Sequence, residues 1–137
     1  MAYTESPQQT FHSSINYNEG AGTLVDTYVG FPIELVALGF EVGTAFVTTT
    51  SLKIRLDYSD TAQAVTTGDT TITIPTAAVV GAVYINRLGT TIRVHPGGFF
   101  RMAVATAGVG SAGAGRAFVI WKYAPAPDQS NLTVVTA

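Results

Sequence analysis

The sequence predicts an all-β domain: an antiparallel β-sandwich or jelly roll of about nine strands, with an extended N-terminal arm and a C-terminal tail. Three observations support this. Apolar and polar residues alternate with the period of two that turns every second side chain to the same face of a strand. Turn-forming residues recur every several positions. No segment favours a helix over a strand.

The two most strand-like runs lie near the end of the chain, at residues 99–106 (FFRMAVAT) and 116–123 (RAFVIWKY). Residues 107–115 between them are small and rich in glycine. A strand, a glycine-rich loop and a second strand together predict a β-hairpin with the loop at its tip. The second run is apolar on both faces, so we expect both of its faces to be covered.

Other strands are expected wherever the alternation holds, at residues 11–18, 23–29, 33–42 with a Thr-rich continuation at 45–50, 51–59, 70–74, 78–88, 89–95 and 132–136. Residues 11–18 alternate weakly and are equally compatible with an extended segment. A helix competes with a strand at residues 33–42, where Pro32 and Gly39 favour a strand with a bulge at Gly39. A short helix around residues 76–82 is the alternative to a strand with a bulge at Gly81.

The length of 137 residues is typical of one domain. Residues 1–10 form the polar arm, residues 11–124 the sandwich and residues 125–137 the tail, which starts with a stiff proline-containing stretch. The N-terminal segment lacks the basic region of a signal peptide, and the longest apolar stretch is too short to cross a bilayer. Without cysteine the chain forms no disulfide, which is typical of a protein that matures in a reducing cytosol.

Charged residues make up only 12% of the sequence, whereas 47% is hydrophobic and the mean hydropathy is +0.30. A typical soluble domain has about 25% charged residues. We therefore expect an exterior of Thr, Ser, Gly and Ala, part of it buried against another subunit. A monomer with a threonine-rich surface is the alternative.

The charges are also segregated along the chain. Residues 1–52 contain five acids and no Lys or Arg, while residues 53–122 contain all seven bases and three acids. These two segments could pair within one molecule or set the register between subunits. Alternatively, the strands mix in the fold and the asymmetry disappears in space.

No pattern in the sequence predicts catalysis. The motifs of metalloproteases, calcium loops, phosphate loops and serine hydrolases are absent, and the two histidines have no neighbours that complete a metal site. The bases are scattered and the isoelectric point is about 5.5, which argues against nucleic-acid binding. The sequence thus predicts a protein that is not an enzyme and has no catalytic residue, cofactor or metal.

Trp121 and Tyr123 fall on the same face of one predicted strand. Exposed aromatic rings on one face stack on sugar rings, so this pair is a candidate glycan platform. The competing interpretation is that both side chains fill the core or a subunit interface.

These features together resemble the virion structural proteins of tailed bacteriophages, of the capsid decoration (cement) type. The resemblance spans the whole chain. It rests on the arm MAYTESPQQT, the abundance of Thr, Ala, Gly and Val, the lack of Cys and the closing run GGFFRMAVATAGVGSAGAGRAFVIWKYAP. It implies a homotrimer, made in the host cytoplasm, that sits on the capsid exterior and clamps neighbouring capsid subunits.

The implied partners are copies of the chain and the capsid protein, with no nucleic acid and no membrane. The arm and the tail are the segments expected to reach across to them. The candidate assembly contacts are Tyr3, Glu5, Phe11, Leu132 and Val134. The alternative function is a carbohydrate- or receptor-binding β-sandwich head domain of a phage fibre.

Overall fold

The computed structural model describes residues 7–59 and 70–124, apart from the side chain of Thr91. These residues form nine strands. The strands are β1 (Gln8–Phe11), β2 (Ile15–Asn16), β3 (Gly22–Tyr28), β4 (Ile33–Thr50), β5 (Lys53–Ser59), β6 (Thr71–Thr73), β7 (Val83–Val94), β8 (Phe99–Thr106) and β9 (Val109–Tyr123).

The strands build two antiparallel sheets, which confirms the predicted β-sandwich. Sheet A has the order β1-β9-β4-β7, with β2 also paired to β9, and sheet B has the order β3-β8-β5-β6. Several strands that are consecutive in the chain, such as β3 and β4, therefore lie in opposite sheets. The jelly roll is compatible with this alternation and stays a prediction.

The predicted hairpin between residues 99–106 and 116–123 is wrong. The first run is β8, which pairs with β3 and β5 in sheet B, and the second belongs to β9, which pairs with β1, β2 and β4 in sheet A. The chain crosses from one sheet to the other after Thr106. The Gly108 N–H, which donates to the Tyr17 carbonyl at 2.8 Å, lies in this crossing.

The glycine run forms the first half of β9 rather than a flexible tip. It pairs with the second half of β4, from Val42 to Thr50, through several register shifts. A Cβ added at Gly110 or Gly115 would overlap the backbone of β4, and one added at Gly113 would lie 2.7 Å from the Phe46 ring. These residues are therefore small because β4 approaches closely. In the sequence, small residues required by close packing look the same as those of a glycine-rich loop.

Several predicted strands merge or shift. Residues 33–42 and 45–50 form the single strand β4, and the two strands expected within 78–95 form β7. Residues 76–82 are neither helix nor strand. They run beside β4, where the Val42 N–H donates to the Ala82 carbonyl at 2.9 Å. The expected bulge at Gly39 is also absent, since this residue pairs in register with both neighbouring strands and the nearest register shift lies between Leu35 and Ala37.

The core lies between the two sheets, where the inward side chains of both meet. Its largest fully buried side chains are Phe40, Phe100, Ile15, Leu35, Leu38, Leu52, Ile54, Leu56, Ile74 and Met102. The alternation predicted for residues 51–59 is found in β5, where Ile54 and Leu56 are buried and Lys53 is exposed. Burial of this apolar surface is the main source of stability in a domain of this kind.

The predicted arm and tail lie mostly outside the described residues. Gln8, Gln9 and Thr10, at the end of the expected arm 1–10, are paired with β9 as part of β1. The described chain ends at Ala124, whose N–H donates to the Pro32 carbonyl at 2.9 Å. Residues 60–69 and the strand expected at 132–136 fall outside the described residues.

Candidate functional site

Only one of the candidate assembly contacts lies among the described residues. Phe11 ends β1 at the edge of sheet A and is 40% exposed. Its ring centroid is 5.2 Å from that of Phe118, and the guanidinium carbon of Arg116 lies 4.8 Å from its centroid. Tyr3, Glu5, Leu132 and Val134 fall outside the described residues.

An apolar row crosses the outer face of sheet A. Phe11, Phe118, Gly39 and Ile85 are direct neighbours on the four strands β1, β9, β4 and β7. The Phe118 ring occupies the space above Gly39, while Ile85 is 51% exposed at the other edge. Sequence reasoning did not find this row, because it depends on which strands are neighbours.

The outer face of sheet B carries a row of charged residues. Asp26, Arg101 and Asp57 are direct neighbours on β3, β8 and β5. The Arg101 Nε donates to Asp26 Oδ1 at 2.6 Å, and the Arg55 Nε donates to Asp57 Oδ1 at 2.8 Å. The hydrogen bond with Asp26 raises the pKa of the Arg101 guanidinium above its usual value. The Arg101 guanidinium therefore stays charged at any physiological pH.

The acidic and basic segments of the sequence meet within one molecule. Asp26 pairs with Arg101, Glu34 with Lys122 at 3.2 Å, and Glu41 with Arg116 at 3.4 Å. Each pair joins an acid of residues 1–52 to a base of residues 53–122. Of the alternatives left open by the sequence, pairing within one molecule is the one that these contacts confirm.

A groove lined by aromatic rings opens at one end of the sandwich. We define the aromatic groove by Tyr28, Phe31, Trp121 and Tyr123, which surround a cavity of about 200 Å³. Tyr28 ends β3, Phe31 lies in the turn between β3 and β4, and the other two end β9. The remaining lining residues, like these four, carry no charge: Thr27, Val29, Gly30, Ile33 and Phe100.

The predicted glycan pair, Trp121 and Tyr123, does lie in this groove, but the two rings do not form one flat surface on which a sugar ring could stack. The Trp121 and Tyr123 centroids are 5.2 Å apart with their rings perpendicular. Trp121 packs against the core, and its Nε1 donates to the Thr10 hydroxyl oxygen at 2.9 Å. Trp121 is therefore a wall of the groove rather than an open platform.

The most exposed rings of this groove are those of Tyr28 and Phe31, at 69% and 67%, while the predicted Tyr123 is 41% exposed. Sequence reasoning missed Tyr28 and Phe31. Phe31 stands between Gly30 and Pro32, which break the strand, so its ring has no place in the inward alternation. An aromatic residue between two turn formers is the signal that identifies it.

The described residues hold no group of three His, Asp or Glu side chains that could share a metal ion. Within the same residues there is no helix of the length and apolarity that a membrane span requires.

Comparisons with known proteins give one structural likeness. No protein-family model matches the chain, and no curated protein matches it in sequence. A chain in a solved structure described as the acidic stable capsid structure of Helicobacter pylori bacteriophage KHP30 aligns with a TM-score of 0.49 and 13% sequence identity. The alignment covers 85% of this chain and 93% of that one. Likeness at this level carries no conclusion about function.

Proposed function

We propose that this chain is a non-enzymatic structural protein of a bacteriophage virion. Its proposed role is that of a capsid decoration (cement) protein, which stabilises the head by clamping neighbouring capsid subunits from the capsid exterior. The observation that carries the proposal is the apolar row on sheet A, which gives one outer face of the sandwich the character of an interface.

Both outer faces carry ion pairs that are satisfied within the chain, Asp26–Arg101 on sheet B and Glu34–Lys122 and Glu41–Arg116 on sheet A. Sheet B presents the row of Asp26, Arg101 and Asp57, which is satisfied within the chain. Sheet A presents Ile85 and Phe11, each more than a third exposed. Phe118 and Gly39 between them are buried, so the exposed apolar surface lies towards the two edges of the row. Exposed apolar residues grouped on one face mark interaction surfaces, whereas isolated ones are ordinary. Sheet A is therefore the face that supports attachment.

The ion pairs strengthen the argument from composition. Four of the seven bases, Arg55, Arg101, Arg116 and Lys122, pair with acids of the same chain. The sequence as a whole supplies few charges to keep a freely dissolved surface hydrated and separate from its neighbours. A protein that buries part of its surface against copies of itself and a shell does not need them.

The proposed partners are two further copies of the chain, in a homotrimer, and the capsid protein. Light scattering on the purified chain measures the first, and co-sedimentation with capsids of the parent phage measures the second. A trimer that binds capsids is the expected result. A chain that remains monomeric at all concentrations and does not sediment with capsids would contradict the proposal.

One substitution tests the face directly. Ile85→Lys places a charge in the apolar row at a half-exposed position, so it should abolish capsid binding or self-association while leaving the melting temperature nearly unchanged. Val109→Lys is the matched control, because Val109 is similarly exposed at 58% but lies outside the row. Equal loss with both variants would count against the apolar row as the attachment surface.

The aromatic groove supports a second candidate function, a carbohydrate- or receptor-binding head domain of a phage fibre. Tyr28 and Phe31 are the exposed rings on which a sugar would stack. A glycan array probed with the purified chain tests this. Binding that is lost in Phe31→Ala, with folding intact, would favour the fibre domain over the decoration protein.

A further inference from the structure

We propose that the aromatic groove of one copy binds the proline-containing segment of a neighbouring copy, residues 125–128 (PAPD). This inference rests on the proposed self-association and names the contact that links the copies. Three features of the molecule support it: the lining of the groove, the chemistry of the segment and the point at which the chain leaves the sandwich.

The groove has the character of a proline-binding surface. Its aromatic rings are uncharged and line an open cavity of about 200 Å³. A cavity of about 150 Å³ accepts a benzene ring, so this volume is sufficient for the smaller ring of a proline. Segments in the polyproline II conformation dock into aromatic-lined grooves in this way, because their conformation is largely fixed before binding.

The segment complements the groove in its hydrogen-bonding groups. Pro125 and Pro127 have no N–H, so this stretch presents mainly carbonyl acceptors. Tyr28 and Tyr123 supply hydroxyl donors among the lining residues. Neither the groove nor residues 125–127 carry a charge that would have to be desolvated, and Asp128 is the one charged residue of the segment.

The segment starts beside the groove of its own chain. Tyr123 lines the groove, and the next residue, Ala124, is bound through its N–H to the Pro32 carbonyl in the turn that also carries Phe31. The Phe31 and Tyr123 rings meet edge to face at 6.1 Å. The segment of a neighbouring copy therefore has to reach the end of the sandwich at which Ala124 of the receiving copy lies.

A neighbouring copy is the better donor because the sequence disfavours a reversal. Proline fixes its own φ and biases the residue before it towards extended conformations. Pro125 and Pro127 thus bias all four residues from 124 to 127 towards an extended path. From this bias in the sequence we expect the segment not to turn back into the groove of its own chain within that span. In a cyclic assembly each copy gives one segment and receives one.

A binding experiment with a peptide tests the groove. The full-length variant Pro125→Ser/Pro127→Ser disables the segment and leaves the groove free for a synthetic peptide of residues 124–131 (APAPDQSN). Trp121 is the sole tryptophan of the sequence and lines the groove, so its fluorescence reports binding there. We expect saturable binding that changes this fluorescence, and no binding of the same peptide with both prolines replaced by serine.

Groove variants made in the same background identify the site. Phe31→Ser and Tyr28→Ser each remove an exposed ring and should weaken peptide binding by about tenfold or more. Val79→Ser is the matched control, since Val79 is also exposed, at 64%, but lies outside the groove. Absence of peptide binding, or binding that Phe31→Ser and Tyr28→Ser leave unchanged, would overturn the inference. Displacement of the peptide by a saccharide would assign the groove to the fibre function instead.

The oligomeric state separates this inference from the proposed function. If Pro125→Ser/Pro127→Ser shifts the wild-type oligomer towards monomer, the segment acts between copies, as proposed. If the double variant stays oligomeric and binds capsids, the inference fails and the decoration role stands. The wild-type chain could instead be monomeric and bind no peptide, while the double proline variant binds it. That result would show that the segment fills the groove of its own chain and would overturn the inference.

Discussion

The Phe118 ring lies over Gly39 of the neighbouring strand, in the space that any other residue at position 39 would fill with its side chain. The two residues are direct partners in β9 and β4, and a Cβ added at Gly39 would overlap the ring. An aromatic ring that covers a strand glycine compensates for the packing that the glycine itself lacks. Phe118 is only 3% exposed as a result, although it belongs to the outer face of sheet A.

Gly39→Ala should therefore destabilise the protein. Replacing a strand glycine by alanine normally stabilises by about 0.5–1 kcal/mol, but here the methyl group displaces Phe118 and should cost about 1–3 kcal/mol. Urea unfolding measures the difference. Gly89→Ala in β7 is the control, because a Cβ there meets nothing within 4 Å and should be neutral or stabilising.

A double-mutant cycle shows whether the Phe118 ring is the cause. In a Phe118→Ala background the ring is gone, so Gly39→Ala should lose its cost. A penalty of the same size in both backgrounds would place the strain elsewhere, for example in the backbone of β4.

Thr10 and Trp121 link the edge strand β1 to the groove wall. The Trp121 Nε1 donates to the Thr10 hydroxyl oxygen at 2.9 Å. Thr10→Val removes this acceptor from a part-buried donor and should lower the free energy of unfolding by about 1 kcal/mol. Trp121→Phe removes the donor, so adding Thr10→Val to it should cost little more. Additive losses in urea unfolding would contradict the hydrogen bond as the source of the coupling.

Asp57 should matter more to stability than Asp26, although both carboxylates belong to the same row. The Asp57 side chain is 4% exposed and accepts two hydrogen bonds from Arg55, while that of Asp26 is 29% exposed. Asp57→Asn should cost about 1.5–3 kcal/mol, the value of hydrogen bonds to a buried charge. Asp26→Asn should cost about 1 kcal/mol or less, because solvent screens an exposed pair.

Salt distinguishes the two carboxylates as well. Raising the ionic strength should shrink the effect of Asp26→Asn and leave that of Asp57→Asn nearly unchanged, since buried pairs are screened much less. Chemical unfolding of both variants at low and high salt makes the comparison. Equal losses with equal salt dependence would show that burial does not separate the two sites.

The fold class could be predicted because it depends on local alternation, which β5 displays in Ile54 and Leu56 facing Lys53 and Arg55. The pairing of strands could not. Residues 99–106 and 116–123 read as a hairpin since they are close in sequence, yet their partners are β3, β5 and β4, which lie far away in the chain. The composition of a strand does not identify which distant strand is its partner.

The candidate site was likewise predictable only where it depends on local sequence and not on strand pairing. Trp121 and Tyr123 were found because they share one strand face, a property of the sequence itself. The apolar row was missed because Phe11, Gly39 and Ile85 become neighbours of Phe118 only when four separate strands pair. Gly113 was misinterpreted for a related reason. It lacks a side chain because the Phe46 ring on the paired strand occupies that space, and not because the chain turns there.

Two N-terminal deletions should separate folding from assembly. Removing residues 1–6 leaves β1 in place, so the free energy of unfolding should stay within about 0.5 kcal/mol, while the loss of Tyr3 and Glu5 should weaken self-association in light scattering. Removing residues 1–11 also deletes Thr10 and Phe11. It uncovers Phe118 and takes the acceptor from Trp121, at a cost of about 2–4 kcal/mol. If the shorter deletion destabilised the chain as much as the longer one, residues 1–6 would belong to the fold and not to assembly.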